Sequence, residues 1–385
     1  MSWPSASLLS KWNRAYKEEN TMKKLIAILL AVITVLGLVA CGNINDTEVS
    51  ILWADEGIVK IPNSLINSME RAMYTEGIAY SHYGANGDQT AQTKQAEEVL
   101  NNGCCVLLVN LVDASAAQTI VDLAKAKNVP VIFFDCEVET SVLNSYDKSA
   151  LVKTDVNSVT EVQSKQISDY LTEEKKALFG GKVTYKNFET VDRNDDGKIS
   201  YMIVSDTDIS AVVANINKAL AEKGLAALEA VSTVTSAEAK AAIEELSVTE
   251  PKDGKKDSVA LLGAVELIIT DSDATALEVL SALQVKVFNN TKLTTHYIPL
   301  YTVGNETDAR AFANTSNMSE EEKAELVYTV TDLIGSGKIA GATIEDLDAV
   351  AAAVAAITRN LIKGADAFEG LETKDKQVLI SYTTV

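Results

Sequence analysis

The chain has 385 residues, 47% of them hydrophobic and 23% charged, and its 54 acidic against 34 basic side chains give a formal net charge of −20. That length exceeds what one hydrophobic core serves well, so two domains are expected. The carboxylate surplus repels phosphates and anionic headgroups, which speaks against a nucleic-acid partner.

At the N-terminus, Met22-Lys23-Lys24 opens a signal-like segment with an apolar core over 25–36 and a small-residue cleavage site, Leu38-Val39-Ala40-Cys41. The last four residues resemble a bacterial lipobox, in which the cysteine is acylated and becomes the first mature residue. As a membrane span, the apolar run 25–40 falls just short of the roughly 17–25 residues needed. Residues 1–21 precede a complete signal and read as an over-long start. Setting aside 1–40, with their five basic and two acidic side chains, leaves a net charge of about −23. Residues 41–48 then form a polar tether from a lipidated Cys41 to the folded part.

Val49–Trp53 reads as a first strand. Helical spacing follows over 63–77 through Leu65, Ile66, Met69 and Met73, with Gly77 as a stop. Strand 78–83 leads to helix 90–102, closed by Gly103. The continuous apolar run 104–111 marks a strand buried on both faces of a parallel sheet. Helix 114–127 and strand 129–134 complete the rhythm of repeated βαβ units. Beyond Cys41 the thiols are Cys104, Cys105 and Cys136, all in or beside apolar runs, where cysteine acts as a small hydrophobe. With two histidines and no Cys-x-x-Cys pair, a zinc centre or a Cys/His nucleophile is not expected.

The pattern restarts after Asp155. Helices are predicted over 159–179, 209–223, 235–246, 273–284, 319–336 and 349–361, and strands over 201–204, 260–270, 298–303 and 377–382, with a charged linker at 248–257. Between the first of these helices and strand 201–204 lies Asp192-Arg193-Asn194-Asp195-Asp196-Gly197-Lys198-Ile199-Ser200. Oxygen side chains at loop positions one, three and five, glycine at six and an aliphatic residue at eight reproduce the front of an EF-hand calcium loop. Position twelve is Ile203, so the closing bidentate glutamate is missing. A cation wanting about six to eight oxygens must find a carboxylate elsewhere. Glu266, inside Val265-Glu266-Leu267-Ile268-Ile269, is costly to bury unless paired or bound to metal. Each feature supplies what the other lacks. The alternatives are an acidic turn before a strand and an exposed glutamate at a strand end.

These residues carry a family resemblance. Asn110-Leu111-Val112-Asp113, Val129-Pro130-Val131-Ile132-Phe133-Phe134, Asn144-Ser145-Tyr146-Asp147-Lys148, the 192–200 loop and Glu266 make the chain similar to the periplasmic galactose/glucose-binding proteins, the receptor components of ATP-binding cassette sugar importers. The resemblance implies an α/β fold of periplasmic binding protein type I, with two doubly wound lobes joined by a hinge. The expected divisions are 49–154 with about 345–376 for the N-terminal lobe, and 155–344 with about 377–385 for the C-terminal, calcium-binding lobe. It implies Ca2+ held by Asp192, Asn194, Asp196, the Lys198 carbonyl, Ser200 and remote Glu266. Ser200 stands where the family carries a longer amide side chain, so a water is expected to complete that ligand.

The sugar contacts match less well. The family's asparagine is present as Asn110. Its aspartate and phenylalanine after the first strand have no counterpart in 57–61, although Asp55 and Trp53 lie nearby, and the His-Pro-Asp segment with its arginine is absent from 205–213. Ser272, Gly304 and Glu345 stand where the family has asparagine, aspartate and asparagine. Candidate ligand-binding residues are therefore Asn110, Trp53, Asp55, Ser272 and Glu345, with Asp135, Asp206, Asp271 and Asn305 also near strand ends.

The resemblance implies a monomeric, lipid-anchored, extracytoplasmic receptor that captures a monosaccharide or related small polar ligand and presents it to membrane permease subunits. A calcium-stabilised surface module that has lost sugar binding is the alternative, supported by the missing contacts. An enzyme is the weakest option, since no nucleophile elbow, Gly-rich phosphate loop or zinc signature appears.

Overall fold

A computed structural model describes residues 48–55, 65–175, 184–246, 264–290, 296–305 and 307–385. The signal segment, Cys41 and the tether up to residue 47 lie outside the described residues, as does linker 248–257. Among the described residues no helix is long and apolar enough to cross a membrane.

The first sheet holds β1 (Val49–Trp53), β2 (Tyr80–Gly84), β3 (Val106–Val109), β4 (Val131–Phe134), β5 (Ser149–Thr154) and β13 (Gln377–Ile380), in the order β13-β5-β4-β3-β1-β2, with every pairing parallel. The second holds β8 (Ser200–Val204), β9 (Glu229–Val234), β10 (Leu267–Thr270), β11 (Leu300–Val303), β12 (Gly341–Ile344) and β14 (Thr383–Thr384), in the order β14-β12-β11-β10-β8-β9, parallel except for the antiparallel β14. β6 (Glu174–Lys175) and β7 (Thr184–Tyr185) form a small separate hairpin. The same permutation occurs twice, so the molecule is two copies of one topology: a type I periplasmic binding protein architecture.

Side-chain alternation explains why each sheet carries helices on both faces. Along β3, Val106 and Leu108 enter one apolar cluster and Leu107 and Val109 the other. In the second lobe, Ile268 of β10 joins one cluster and Leu267 and Ile269 the opposite one. The helix Leu65–Glu76 buries Leu65, Met69 and Met73 against the alanine-rich helix Leu347–Ile362, whose Val350, Ala351, Val354 and Ile357 face it.

That pairing crosses between halves of the chain. After β5 the chain enters the second lobe as the helix Val159–Leu171; after β12 it returns to the first as Leu347–Ile362; after β13 it crosses again to β14. The predicted boundary at 377 therefore shifts. Gln377–Ile380 pairs with β5 in the first sheet, and only the segment after 380 belongs to the second, because the apolar Val378 completes the first-lobe core.

Other expectations change locally. Helix 159–179 ends at Leu171, where the Thr172 hydroxyl and amide turn back to the Ser168 carbonyl. Strand 260–270 shortens to β10, its start at 260–263 lying outside the described residues. Helix 319–336 divides into Glu320–Glu325 and Val330–Gly335, the second opened by a capping box between Thr329 and Asp332.

Candidate functional site

β5 and β12 each end where the chain leaves its lobe, so the C-terminal strand ends of both sheets face the crossovers. Loops at such ends are where α/β sheets take ligands.

On the first rim, the Asn110 side chain ties three strand ends together. Its Oδ1 accepts from the Ala54 amide at 3.3 Å, and Nδ2 donates to the carbonyls of Asp135 at 2.9 Å and Phe134 at 3.3 Å. Both amide hydrogens are thus used within the protein, leaving a lone pair of Oδ1 for a ligand. Gln92, fully buried, supports the same loop by donating to the Asn110 carbonyl at 2.8 Å and accepting from the Val112 amide at 3.1 Å. Nothing in the sequence singled it out. Trp53 faces the core. It is 5% exposed and packs edge to face on Phe134 with ring centroids 5.0 Å apart, so it offers no open stacking surface. Asp55 is exposed on the rim.

On the second rim, carboxylates hold neighbouring loops. Asp271 Oδ2 accepts from the Asp206 amide at 2.9 Å and from the Thr207 amide and hydroxyl at 3.1 and 3.0 Å, while Oδ1 accepts from the Thr275 hydroxyl at 3.2 Å. Burial tends to raise this carboxyl, yet donors from Ser205, Thr207, the Asp206 amide and Thr275 outweigh it and hold Asp271 below the usual carboxylate range. Asp206 in turn accepts from the Ser236 amide and hydroxyl at 3.1 and 2.6 Å. Ser272 caps the helix Asp273–Val285, accepting from the Thr275 amide at 3.3 Å, and Asn305 accepts from the Thr331 amide at 2.8 Å. Glu345 sits half-buried on the second crossover.

Gly304 leaves room for a neighbouring carboxylate. Gly304 has φ +92°, and a Cβ there would lie 3.1 Å from the Asp273 carboxyl carbon. Asp273 fills that space from the neighbouring strand end, where it accepts from the Thr307 amide and hydroxyl, each at 2.8 Å. Among the described residues near the rims, Lys153 pairs with Glu137 at 2.6 Å and Arg310 with Asp308 at 2.5 Å.

The second candidate centre is the 192–200 loop. Asp192 accepts from the amides of Asp196 at 3.2 Å and Gly197 at 2.8 Å; Asn194 accepts from the Asp196 amide at 3.0 Å, and Asp196 from the Lys198 amide at 2.9 Å. Asp195 and Gly197 adopt left-handed φ of 57° and 81°, which bends the loop. Glu266, 2% exposed, enters it from the second sheet across some 70 residues of sequence. Its carboxylate accepts from the Arg193 amide, from the Asn194 amide at 3.3 Å and from the Ser200 amide at 2.9 Å. Burial pushes the Glu266 carboxyl up, and nearby Asp192 adds to it, while the three amides oppose the shift. Glu266 thus meets the 192–200 loop through backbone amides.

As a cation site the donor set fits in kind, since Asp192, Asn194, Asp196 and Glu266 present hard oxygens. Among the described residues no three His, Cys, Asp or Glu side chains converge closely enough to enclose an ion by themselves. Here the loop amides take up the carboxylate oxygens. The backbone of Ser200 holds Glu266; its side chain is buried.

Elsewhere, Cys104 and Cys136 are free thiols. Burial pushes Cys136 up to about 11, which keeps it protonated and unreactive. A cavity of about 340 Å³ lined by Pro130, Lys148, Ala150 and Leu361 lies at the N-terminal ends of β4 and β5, away from both rims.

Comparison with known proteins agrees with this architecture. The chain is 24% identical over 347 residues to the D-galactose/methyl-galactoside binding periplasmic protein MglB of Haemophilus influenzae, covering 89% of each chain. It is 25% identical over 254 residues to the D-xylose-binding periplasmic protein of the same organism, covering 63% of this chain and 70% of that one. The crystal structure of a periplasmic ribose ABC transporter from Conexibacter woesei is similar at a TM-score of 0.48 and 13% identity, covering 90% of this chain and 92% of that chain. Residues 59–366 match the periplasmic binding protein domain, and with that span covering most of both lobes the chain belongs to the periplasmic binding protein family.

Proposed function

We propose that this protein is the lipid-anchored receptor of an ATP-binding cassette importer and captures a galactose- or glucose-like monosaccharide between its two lobes. The observation that carries this reading is the duplicated sheet topology, with three crossovers placed at the C-terminal strand ends, in a chain of this family. Its relatives over most of their length include proteins named for binding D-galactose and D-xylose. Among the described residues the rims suit a neutral, hydroxyl-bearing ligand, because their acids accept hydrogen bonds and Lys153 and Arg310 are paired with Glu137 and Asp308. Candidate contacts are Asn110, Asp55, Ser272 and Glu345.

Capture works by hinge closure, and the closed form is what permease subunits meet; no bond is made or broken. Asp192, Asn194, Asp196, the Lys198 carbonyl and Glu266, with Ser200 through water, would hold Ca2+ and lock the loop to the second sheet. Cys41 would carry the lipid and keep the receptor at the outer face of the cell membrane; metabolic labelling with a fatty-acid analogue, lost in Cys41→Ala, checks that step.

Isothermal titration with D-galactose, D-glucose, D-xylose and D-ribose tests the capture reading. Single-site binding of at least one sugar is expected. Absence of heat with all of them would overturn sugar capture and favour a surface module.

A further inference from the structure

Three segments join the lobes: 155–158, 345–346 and 381–382. Two of them are laced together. The Asp155 amide donates to the Ile380 carbonyl at 2.7 Å, which extends the β5–β13 ladder one residue beyond the sheet. Where both segments enter the second lobe, the Ser158 hydroxyl donates to the Asp155 carbonyl at 2.8 Å and accepts from the Tyr382 amide at 3.0 Å. Ser158 immediately precedes the helix Val159–Leu171, and Tyr382 immediately precedes β14, so one hydroxyl joins two elements of the same lobe at the hinge. Further on, Gln166 of that helix donates to the Val385 carbonyl at 3.0 Å, holding the end of β14 in the same unit. In the 345–346 crossover, Asp346 accepts from the Ala349 amide at 2.9 Å and starts the helix that returns to the first lobe.

We propose that Ser158 is a positioning residue for ligand capture: its hydroxyl makes the first and third crossovers bend as one ribbon and so restricts the lobe angles that the ligand-free receptor samples. This rests on the capture reading above. A hinge that is already restricted loses less conformational freedom when the lobes close, which favours binding. Without the hydroxyl, the Tyr382 amide loses this partner, and the backbone bond from Asp155 to Ile380 is left to tie the third crossover to the first, so the third flexes more freely.

The test compares the full chain with Ser158→Ala and Ser158→Thr, the second of which keeps a hydroxyl. In ligand-free protein, hydrogen–deuterium exchange over 380–385 is expected to quicken in Ser158→Ala while strands β3, β4 and β10 keep their protection, and small-angle scattering should show a larger radius of gyration. The sugar that binds the wild type should bind Ser158→Ala about five-fold more weakly, the equivalent of one hydrogen bond. Ser158→Thr should restore all three. Unchanged exchange, or quicker exchange with an unchanged radius of gyration, overturns the proposal. Failure of the wild type to bind any sugar sinks the capture reading instead, and the exchange and scattering results still decide whether Ser158 restricts the hinge.

Discussion

Glu266 shows how far residue-level chemistry reaches. A carboxylate among Val265, Leu267 and Ile268 had to be neutralised or bound, and the structure places it inside the loop that lacked one. If calcium binds there, adding millimolar calcium to chelator-treated protein raises the melting temperature, and Glu266→Gln removes that rise, as scanning calorimetry would show. The sign of the pH dependence follows from burial. A carboxyl held above its ordinary value contributes full stability below its unfolded pKa and loses it as pH rises through the folded pKa. The gap between chelated and calcium-loaded protein should therefore widen with rising pH. Asp271 has the opposite sign. Held low by its hydroxyl and amide donors, it stabilises above the ordinary carboxylate range, and that contribution fades as pH falls through its folded pKa. Asp271→Asn should lower the melting temperature by a few degrees at neutral pH and make little difference in acid, in parallel melts across pH. The turn-forming spacing of Asp192, Asn194, Asp196 and Gly197 was legible because it is local. The roles of Asp273 and Gln92 were not, since each depends on what another strand end brings next to it.

Among elements, the strands buried on both faces were the easiest to read. β3 and β4 consist wholly of Val, Leu, Ile and Phe and are fully covered. β9, with sequence EAVSTV, lies at a sheet edge with mostly exposed side chains, so its composition carries no burial signal. β5 and β12 were missed for another reason: their small and polar residues are buried by helices that arrive from the other lobe's sequence. Gly341 on β12 shows the closeness of that contact. A Cβ there would lie 2.6 Å from Gln166 Nε2 and 3.0 Å from the Tyr301 ring. Gly341→Ala should cost about 1–3 kcal/mol by overpacking. Adding Gln166→Ala should recover part of that loss, a coupling that urea denaturation of the two single variants and the double variant would measure.

At the scale of the whole molecule, the first lobe is discontinuous. Its helix Leu65–Glu76 packs on Leu347–Ile362, bridged at Arg359–Glu76 by a 3.1 Å ion pair, and its sheet is completed by β13. A fragment ending at residue 158 lacks both. It should therefore show no cooperative thermal unfolding by circular dichroism, whereas the full chain unfolds cooperatively. The proposed closing of the two lobes on a ligand would likewise be a property of the pair, since each contributes one rim.

The sequence by itself determined the α/β class, the duplicated rhythm and the need of a buried Glu266 for partners, because each follows from local periodicity or from the cost of burying charge. Tertiary structure alone decided that Gln377–Ile380 completes the first sheet, that Trp53 turns into the core, that Asn110 spends its amide on neighbouring strand ends and that Asp273 fills the space beside Gly304. The reason is common to all four. Which partner a polar or apolar group meets depends on segments up to more than two hundred residues away, and no local pattern records their arrival.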